Sequence, residues 1–419
     1  MYLTSEENEM LEGKYGYPAQ KAMEILVGLG ECYDAERMIR VNSAHLLCSV
    51  SSLGKGGALF FQEMADKGGK FVIHTDTNPV SFDTWLWKDL GIAEQRIHEQ
   101  VMLSNTVTKM GAFLSNTCAP YLVGNIPRMR EHIAWNESSA ISFANSVIGA
   151  RTNREGGPSA FAAAITGRVP EYGYHMDQNR HGDLKIVVTA EMKNTHDYGT
   201  LGYFTGKISE DRVPVLTGIQ PNVSWDALKV LGAAAATSGS VALYHLPGIT
   251  PEAPDEETAF GGRKVKDWQT FEFGERELRE TEESLSVAPT RDVDLVILGC
   301  PHASITELRE ITQLLSGKRL RSGVELWVST SHMMKAYGEM MGYVNIIEAS
   351  GAKLLCDACP VAMCREIINN MRPRTIATDS AKLANGIGVY NAAEGEVLLY
   401  YGSPERCVEA ATTGKSTEV

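Results

Sequence analysis

Three cysteines of this chain stand in one kind of place. Cys118, Cys300 and Cys359 each follow a short apolar stretch and lie beside a proline or one residue from it, in Thr117-Cys-Ala-Pro120, Gly299-Cys-Pro-His302 and Asp357-Ala-Cys-Pro360. A buried cysteine behaving as a small hydrophobe accounts for any one of them taken singly. Three thiolates converging on one edge of a sheet can instead hold an iron–sulfur cluster, and three protein ligands leave one iron open to a substrate hydroxyl, where it acts as a Lewis acid. Zinc fits less well, because Cys356-x-x-Cys359 has no second CxxC or HxxxH partner. Eight cysteines in 419 residues are too sparse for a disulfide scaffold.

Polar residues in unusual settings form a second group. Ser138, Ser139 and Asn145 sit among apolar neighbours, where unpaired polar groups are costly, so each needs a partner in the fold or in a substrate. Arg151-Thr-Asn-Arg154, followed by Gly156-Gly157, puts two guanidiniums and an amide beside a flexible turn, which suits a carboxylate or phosphate; an arginine-braced helix junction is the competing reading. His74, Asp76, Thr77 and Asn78 end a short strand, as ligand-binding groups or as a hydrogen-bonded turn.

The elements that position these residues read as strands stopping in loops. Val293 to Leu298 is an apolar run too short for a helix and fits a parallel strand covered on both faces, with Cys300 in the loop at its carboxyl end, where open α/β sheets bind ligands. The same pattern places strands at 71–79, 111–117, 184–190, 213–217, 240–246, 324–331, 352–356 and 375–378, the last stopping in a Ser/Lys-bearing loop that ends at Lys382. Helices are expected over 5–39, 57–65, 92–110 and 333–341. The Pro/Asp/Glu-rich stretch 250–290 reads as a solvated connection with a strand pair or short helix at 267–273. Three α/β regions result: 1–180 with Cys118 and the Arg/Asn loop, 181–290 ending in the acidic connection, and 291–419 with Cys300 and Cys359. No P-loop or dinucleotide-type glycine motif is present.

Composition narrows the partners. Lys+Arg number 39 against 52 Asp+Glu, a formal charge of −13, which argues against a nucleic-acid or anionic-membrane surface. No apolar run reaches the length of a membrane span, and the acidic start Met1 to Glu7 is unlike a signal peptide, so a cytoplasmic protein without a membrane partner is expected.

The chain resembles the large, catalytic subunit of the aconitase X family. The resemblance is carried by Tyr2-Leu-Thr4, Gly13-Lys-Tyr-Gly16, Thr117-Cys-Ala-Pro-Tyr121, Ala134-Trp-Asn-Glu-Ser-Ser-Ala140, Asn145 to Pro158, Gly299-Cys-Pro-His302 and Asp357-Ala-Cys-Pro-Val361. It implies several α/β domains with mainly parallel sheets around a central iron–sulfur site. It further implies a hydro-lyase whose cluster, a [4Fe–4S] form with an open iron or a [2Fe–2S] form, is held by Cys118, Cys300 and Cys359, with Cys356 as the competing ligand in the last loop. By the same resemblance Asn153 and Arg154 bind the substrate carboxylate, and Ser138, Ser139, Arg151 and His302 join the pocket, Ser138, Ser139 and His302 as candidate catalytic groups; Asn78 is a further substrate-binding candidate.

The family's small swivelling domain finds no room before Val419, so the expectation is a separate small subunit that closes the site and supplies the general base, without which this chain is inactive. The expected reaction is dehydration of a small hydroxy acid. The family offers cis-3-hydroxy-L-proline and 5-phosphomevalonate. Moderate charge content favours the first, and the loop Asp76 to Asp83 departs from the Asn-Pro-Ala/Cys-Gly-Met-Asp pattern associated with the second. A non-catalytic iron–sulfur or RNA-binding relative is disfavoured by the charge. Classical aconitase or isopropylmalate isomerase activity is disfavoured by the lack of their paired CxxC motif.

Overall fold

The computed structural model describes all residues except 265, 267, 268, 287–291, 395, 396 and 417–419, and leaves the side chains of 392–394 aside. Three parallel sheets organise it. In the N-terminal region β1 (Met38–Arg40), β2 (Ser43–Leu46), β3 (His74–Thr77), β4 (Ala134–Trp135) and β5 (Arg168–Pro170) form a parallel sheet in the order β3-β2-β4 and an antiparallel pair β1-β5. The middle sheet orders β6 (Leu184–Val188), β7 (Pro214–Thr217) and β8 (Thr270–Phe273) as β7-β6-β8, all parallel.

The C-terminal region carries the largest sheet. Its strands β9 (Leu295–Leu298), β10 (Glu325–Thr330), β11 (Lys353–Cys356), β12 (Thr375–Thr378) and β13 (Leu398–Tyr401) run parallel in the order β11-β10-β9-β12-β13. Every residue of β9 is buried, as its unbroken apolar run requires of a strand with helices on both faces. The chain steps from β9 through β10 to β11 on one side, then crosses to β12 and β13 on the other. The order therefore reverses between β9 and β12, which opens a crevice at their carboxyl ends, the place where such sheets receive ligands. Cys300 leaves β9 into that crevice, and Ser380 and Lys382 leave β12 beside it.

Three expectations need correction. The segment 111–117 is an extended connection joined to β3 by a single bridge at Phe113, because the side chains and backbone of Ser115 to Thr117 bond to β3 instead of forming a ladder. Residues 240–246 likewise make one bridge, Val215 to His245, since the Asn145 amide and the Ser146 hydroxyl take up the polar groups of Ala242 and Tyr244. The acidic stretch 250–290 is not merely a connection: it supplies β8, whose Phe273 is buried, and the helix Glu275–Leu285; residues 265, 267, 268 and 287–290 lie outside the described residues. Residues 5–39 are two helices, Ser5–Leu11 and Tyr17–Cys32, followed by β1. Among the described residues no helix is long and apolar enough to cross a membrane.

Candidate active site

Each of the three cysteine loops begins with a backbone turn into the left-handed region: Asn116 at φ 44°, Gly299 at φ 81° and Asp357 at φ 63°, one or two residues before its cysteine. Two of these are not glycine, and a residue held there persists only when its surroundings fix it. Asn116 accepts from the Thr77 hydroxyl at 2.8 Å and donates to Asp357 Oδ2 at 3.1 Å, so the Cys118 and Cys359 loops lock each other. Asp357 also accepts from the His332 backbone at 2.7 Å. At Gly299 the limit is space, since a Cβ would stand 2.3 Å from the Ser329 carbonyl oxygen.

His302 ties the three loops together. Its backbone N–H donates to Cys118 Sγ at 3.1 Å, its Nδ1 meets the Thr117 hydroxyl at 3.2 Å, and its Nε2 meets the Ala358 carbonyl at 2.9 Å. A carbonyl only accepts, so Nε2 carries the proton and Nδ1 accepts from Thr117. Burial lowers the imidazole's pKa, which keeps the ring neutral. With both ring nitrogens engaged, His302 positions the loops.

Two of the sulfurs face backbone donors: His302 N–H points at Cys118 at 3.1 Å, and the Ala362 N–H reaches Cys359 Sγ at 3.4 Å from the first turn of the helix Pro360–Met371. Neutral thiols are weak acceptors, so sulfurs met by such donors suit thiolates. Burial opposes that charge and pushes Cys118 up to about 12, with Cys300 and Cys359 also raised. The ammonium of Lys382 acts on all three in the opposite sense.

Lys382 is the residue that sequence reasoning passed over, together with Glu137. Its Nζ donates to Glu137 Oε1 at 2.5 Å, to Ser139 Oγ at 3.2 Å and to Ser138 Oγ at 3.3 Å. The Ser139 hydroxyl donates to the same carboxylate oxygen at 3.0 Å, and Asn78 Nδ2 reaches Oε2 at 3.3 Å. Burial raises the Glu137 pKa, but the neighbouring ammonium outweighs it and holds the carboxyl at about 2. The available signals were the Ser/Lys-bearing loop after a strand and the position of Glu137 beside Ser138. Nothing local joins residues 245 positions apart.

The structure thus brings Cys118, Cys300, Cys359, Ser138, Ser139, Asn78 and His302 together. Cys356 turns away: its side chain belongs to the C-terminal core with Leu326, Val328 and Leu354. Among the described residues, no hydrogen bond or ion pair joins Arg151, Asn153 or Arg154 to this group. Arg151 is buried and pairs with Asp177, donates to the His175 carbonyl at 3.2 Å and stands 3.7 Å from Glu252. Asn153 spends its amide on the turn ahead of it, donating to Tyr172 O at 3.1 Å and accepting from Tyr174 N at 2.8 Å. Arg154 is exposed and donates to the Ser240 carbonyl. Asn145 is wholly internal, donating to Thr152 and Ala242 carbonyls and accepting from Thr152 N and Arg180.

Among the described residues no three Cys, His, Asp or Glu side chains are gathered closely enough for one metal ion. A multi-iron cluster makes a different demand, because its thiolates bind separate irons and stand farther apart. Three sulfurs gathered beside one ammonium, those of Cys118 and Cys300 buried and that of Cys359 partly so, with backbone donors at Cys118 and Cys359, fit such a cluster as thiolate ligands.

Sequence models of the first, second and third domains of aconitase X match residues 1–178, 182–283 and 293–413. The phosphomevalonate dehydratase large subunit of Methanothermobacter thermautotrophicus is 40% identical over 386 residues, which are 92% of this chain and 93% of that protein. The cis-3-hydroxy-L-proline dehydratase of Pseudomonas aeruginosa is 35% identical over 415 residues, 98% of this chain but 70% of that protein. The crystal structure of Thermococcus kodakaraensis aconitase X in its holo-form superposes with a TM-score of 0.86 at 38% identity, covering 98% of this chain and 100% of that one.

Proposed function

The chain belongs to the aconitase X family, whose named relatives are dehydratases, and we propose that it is the large subunit of an iron–sulfur hydro-lyase acting on cis-3-hydroxy-L-proline. The observation that carries the hydro-lyase reading is the convergence of three cysteine loops on the Lys382–Glu137–Ser139 group. Cys118, Cys300 and Cys359 hold the cluster. When bound, it supplies a Lewis acid for the departing hydroxyl, which is a poor leaving group at neutral pH.

The chain's own residues orient and hold charge. Lys382 fixes Glu137 and the two serine hydroxyls in one hydrogen-bonded group, so that charge developing on a substrate beside it meets donors already in place. Asn78 anchors the other carboxylate oxygen. Arg154, exposed and with one carbonyl contact among the described residues, is the guanidinium for a substrate carboxylate. The general base comes from a small swivelling-type subunit that closes over the crevice.

The choice of substrate rests on the helix Val50–Asp66, which starts next to Asn78. A helix N-terminus binds phosphate through free N–H groups. Here the Val50 N–H is taken by Gln100 Oε1 at 3.2 Å, Ser51 by Ser81 Oγ at 2.9 Å and Ser52 by Ser49 Oγ at 3.3 Å. Ser81 lies in the loop Asp76 to Asp83. A phosphate would have to displace these partners, whereas hydroxyproline brings none. The second reading, 5-phosphomevalonate, is favoured by the fuller coverage of the relatives with that name, 93% to 98% of their length against 69% to 70%. Reconstituting the chain anaerobically with its small subunit and iron, and offering each substrate separately, tests both. Water loss from hydroxyproline is the expected result; turnover of phosphomevalonate alone refutes the substrate, and turnover of neither refutes the hydro-lyase.

A further inference from the structure

A roomy hollow lies away from the cysteines. It has a volume of about 580 Å³ and opens where Val41-Asn42 lead into β2 and Val72-Ile73 lead into β3. It therefore sits at the amino-terminal edge of the β3-β2-β4 sheet, while Cys118 is held at the carboxyl end of β3. The volume falls within the roughly 300–1,000 Å³ typical of small-molecule sites.

Its floor is apolar and buried, formed by Met10, Pro18, Val41 and Ile165. Its walls carry Arg40, Lys67, Lys70 and Arg168 against one lining carboxylate, Glu6. That carboxylate is already engaged: it pairs with buried Arg168 at 2.5 Å and with Arg40 at 3.3 Å, while Glu7 takes the other side of Arg168 at 3.0 Å. Lys67 and Lys70 are exposed and, among the described residues, have no carboxylate within ion-pair reach. Lys70 donates to the Lys109 carbonyl, and Lys67 sits 5.8 Å from the Tyr17 ring centre. In a chain of net charge −13, an excess of cations around a hollow runs against the protein's overall field.

The carbonyls around the hollow do not offset this. Thr166 O accepts from Arg168, Gly167 O from Val41 N, Met64 O from Gly69 N and Ala65 O from Gly68 N. By contrast, the helix Tyr17–Cys32 starts at the hollow's wall with Gly16 as its N-cap and no side-chain cap, leaving the positive end of its dipole there. The apolar floor and the cationic rim together select the ligand class.

We propose that this hollow is a second ligand site, separate from the cysteine crevice, for a small organic anion with an apolar body and a phosphate or carboxylate head. The apolar part lies on Met10, Val41 and Ile165, and the anionic head meets Lys67 and Lys70. The helices Val50–Asp66 and Gly157–Thr166 each end at this hollow and begin on the side of Asn78 and of Arg154 respectively, so an occupant contacts elements shared with the crevice. The proposal goes beyond the dehydratase reading and does not depend on it.

Titration calorimetry of the full chain with phenyl phosphate as probe, and with inorganic phosphate in a parallel arm, tests it. Phenyl phosphate is expected to bind one per chain, more tightly than inorganic phosphate, and the Lys67→Ala/Lys70→Ala variant is expected to lose about tenfold in affinity at low salt. Both lysines are exposed, so thermal unfolding of that variant should match the wild type. No saturable binding, or equal binding by the lysine variant, overturns the proposal. Equal affinity for the two probes overturns the assignment of the apolar floor.

Discussion

Replacing Lys382 by methionine keeps most of the side chain's volume and removes the ammonium that Glu137, Ser138 and Ser139 share. The side chains of Lys382 and Glu137 are only 12% and 14% exposed, so solvent does little to screen either charge. Breaking a buried pair by removing one partner costs about 3–5 kcal/mol. Glu137 keeps neutral donors in Ser139 at 3.0 Å and Asn78 at 3.3 Å, which places the expected loss near the lower figure, about 3 kcal/mol. Glu137→Gln should cost a similar amount, because it strands Lys382. The double variant, which removes both charges, should cost less than the sum by about 2 kcal/mol. Urea unfolding followed by circular dichroism measures all three, with a constant slope as the check that the unfolded state is unchanged. The pH dependence has a definite sign. The carboxyl is held at about 2, below its ordinary 4.5. Its contribution is therefore complete above 4.5 and fades as pH falls toward 2, so the Lys382→Met penalty should be flat from neutral pH to about 5.5 and shrink below that. A penalty under about 0.5 kcal/mol, or strict additivity in the double variant, would refute the buried-pair account.

Other substitutions probe the loops and an unpaired carboxylate. Cys118→Ser, Cys300→Ser and Cys359→Ser should each lose bound iron after anaerobic reconstitution, while Cys356→Ser keeps it; iron and sulfide analysis decides, and iron loss in Cys356→Ser would move the ligand. Gly299→Ala should destabilise by about 2–4 kcal/mol in urea unfolding, since it combines a φ of 81° with a Cβ 2.3 Å from Ser329 O, and it should lower iron retention. Glu155 is buried and, among the described residues, neither of its carboxylate oxygens has a hydrogen-bond partner, as the Ser159 hydroxyl is engaged with the Gly156 backbone. Burial raises its pKa above 4.5, so its charge destabilises the fold at high pH and that cost disappears as pH falls through the raised value toward 4.5. Glu155→Gln should therefore be more stable than wild type by about 1 kcal/mol at pH 8 and no more stable at pH 4.5, read as Tm against pH; a uniform loss at both pH values would show a hidden partner.

What the sequence disclosed, and what it did not, follows from how each residue is held. Cys300 and Cys359 follow strands whose apolar runs are continuous because both faces are covered, and that pattern is local. Cys118 was reached through the same pattern although no strand precedes it. Its loop is extended because Thr77 and Asp76 of β3 take up Ser115, Asn116 and Thr117, and such pairing across 39 residues leaves no periodicity to read. The Asn153 amide and the Arg151 guanidinium carry the right chemistry for a carboxylate, but the fold spends both on the 172–177 turn.

The least legible contact is also the one the site turns on. Lys382 reaches Glu137 only because the C-terminal sheet reverses its strand order between β9 and β12, which sets the loops after those two strands side by side. The N-terminal loops that carry Asn78 and Glu137 then cover the crevice so formed. The ammonium is what allows three sulfurs to be buried together: each is raised by desolvation, and Lys382 counters that rise at all three. A lysine in a Ser/Lys-bearing loop has no local mark of that role. Its meaning depends on topology, and the thiols that the sequence singled out are hard to charge in this crevice without it.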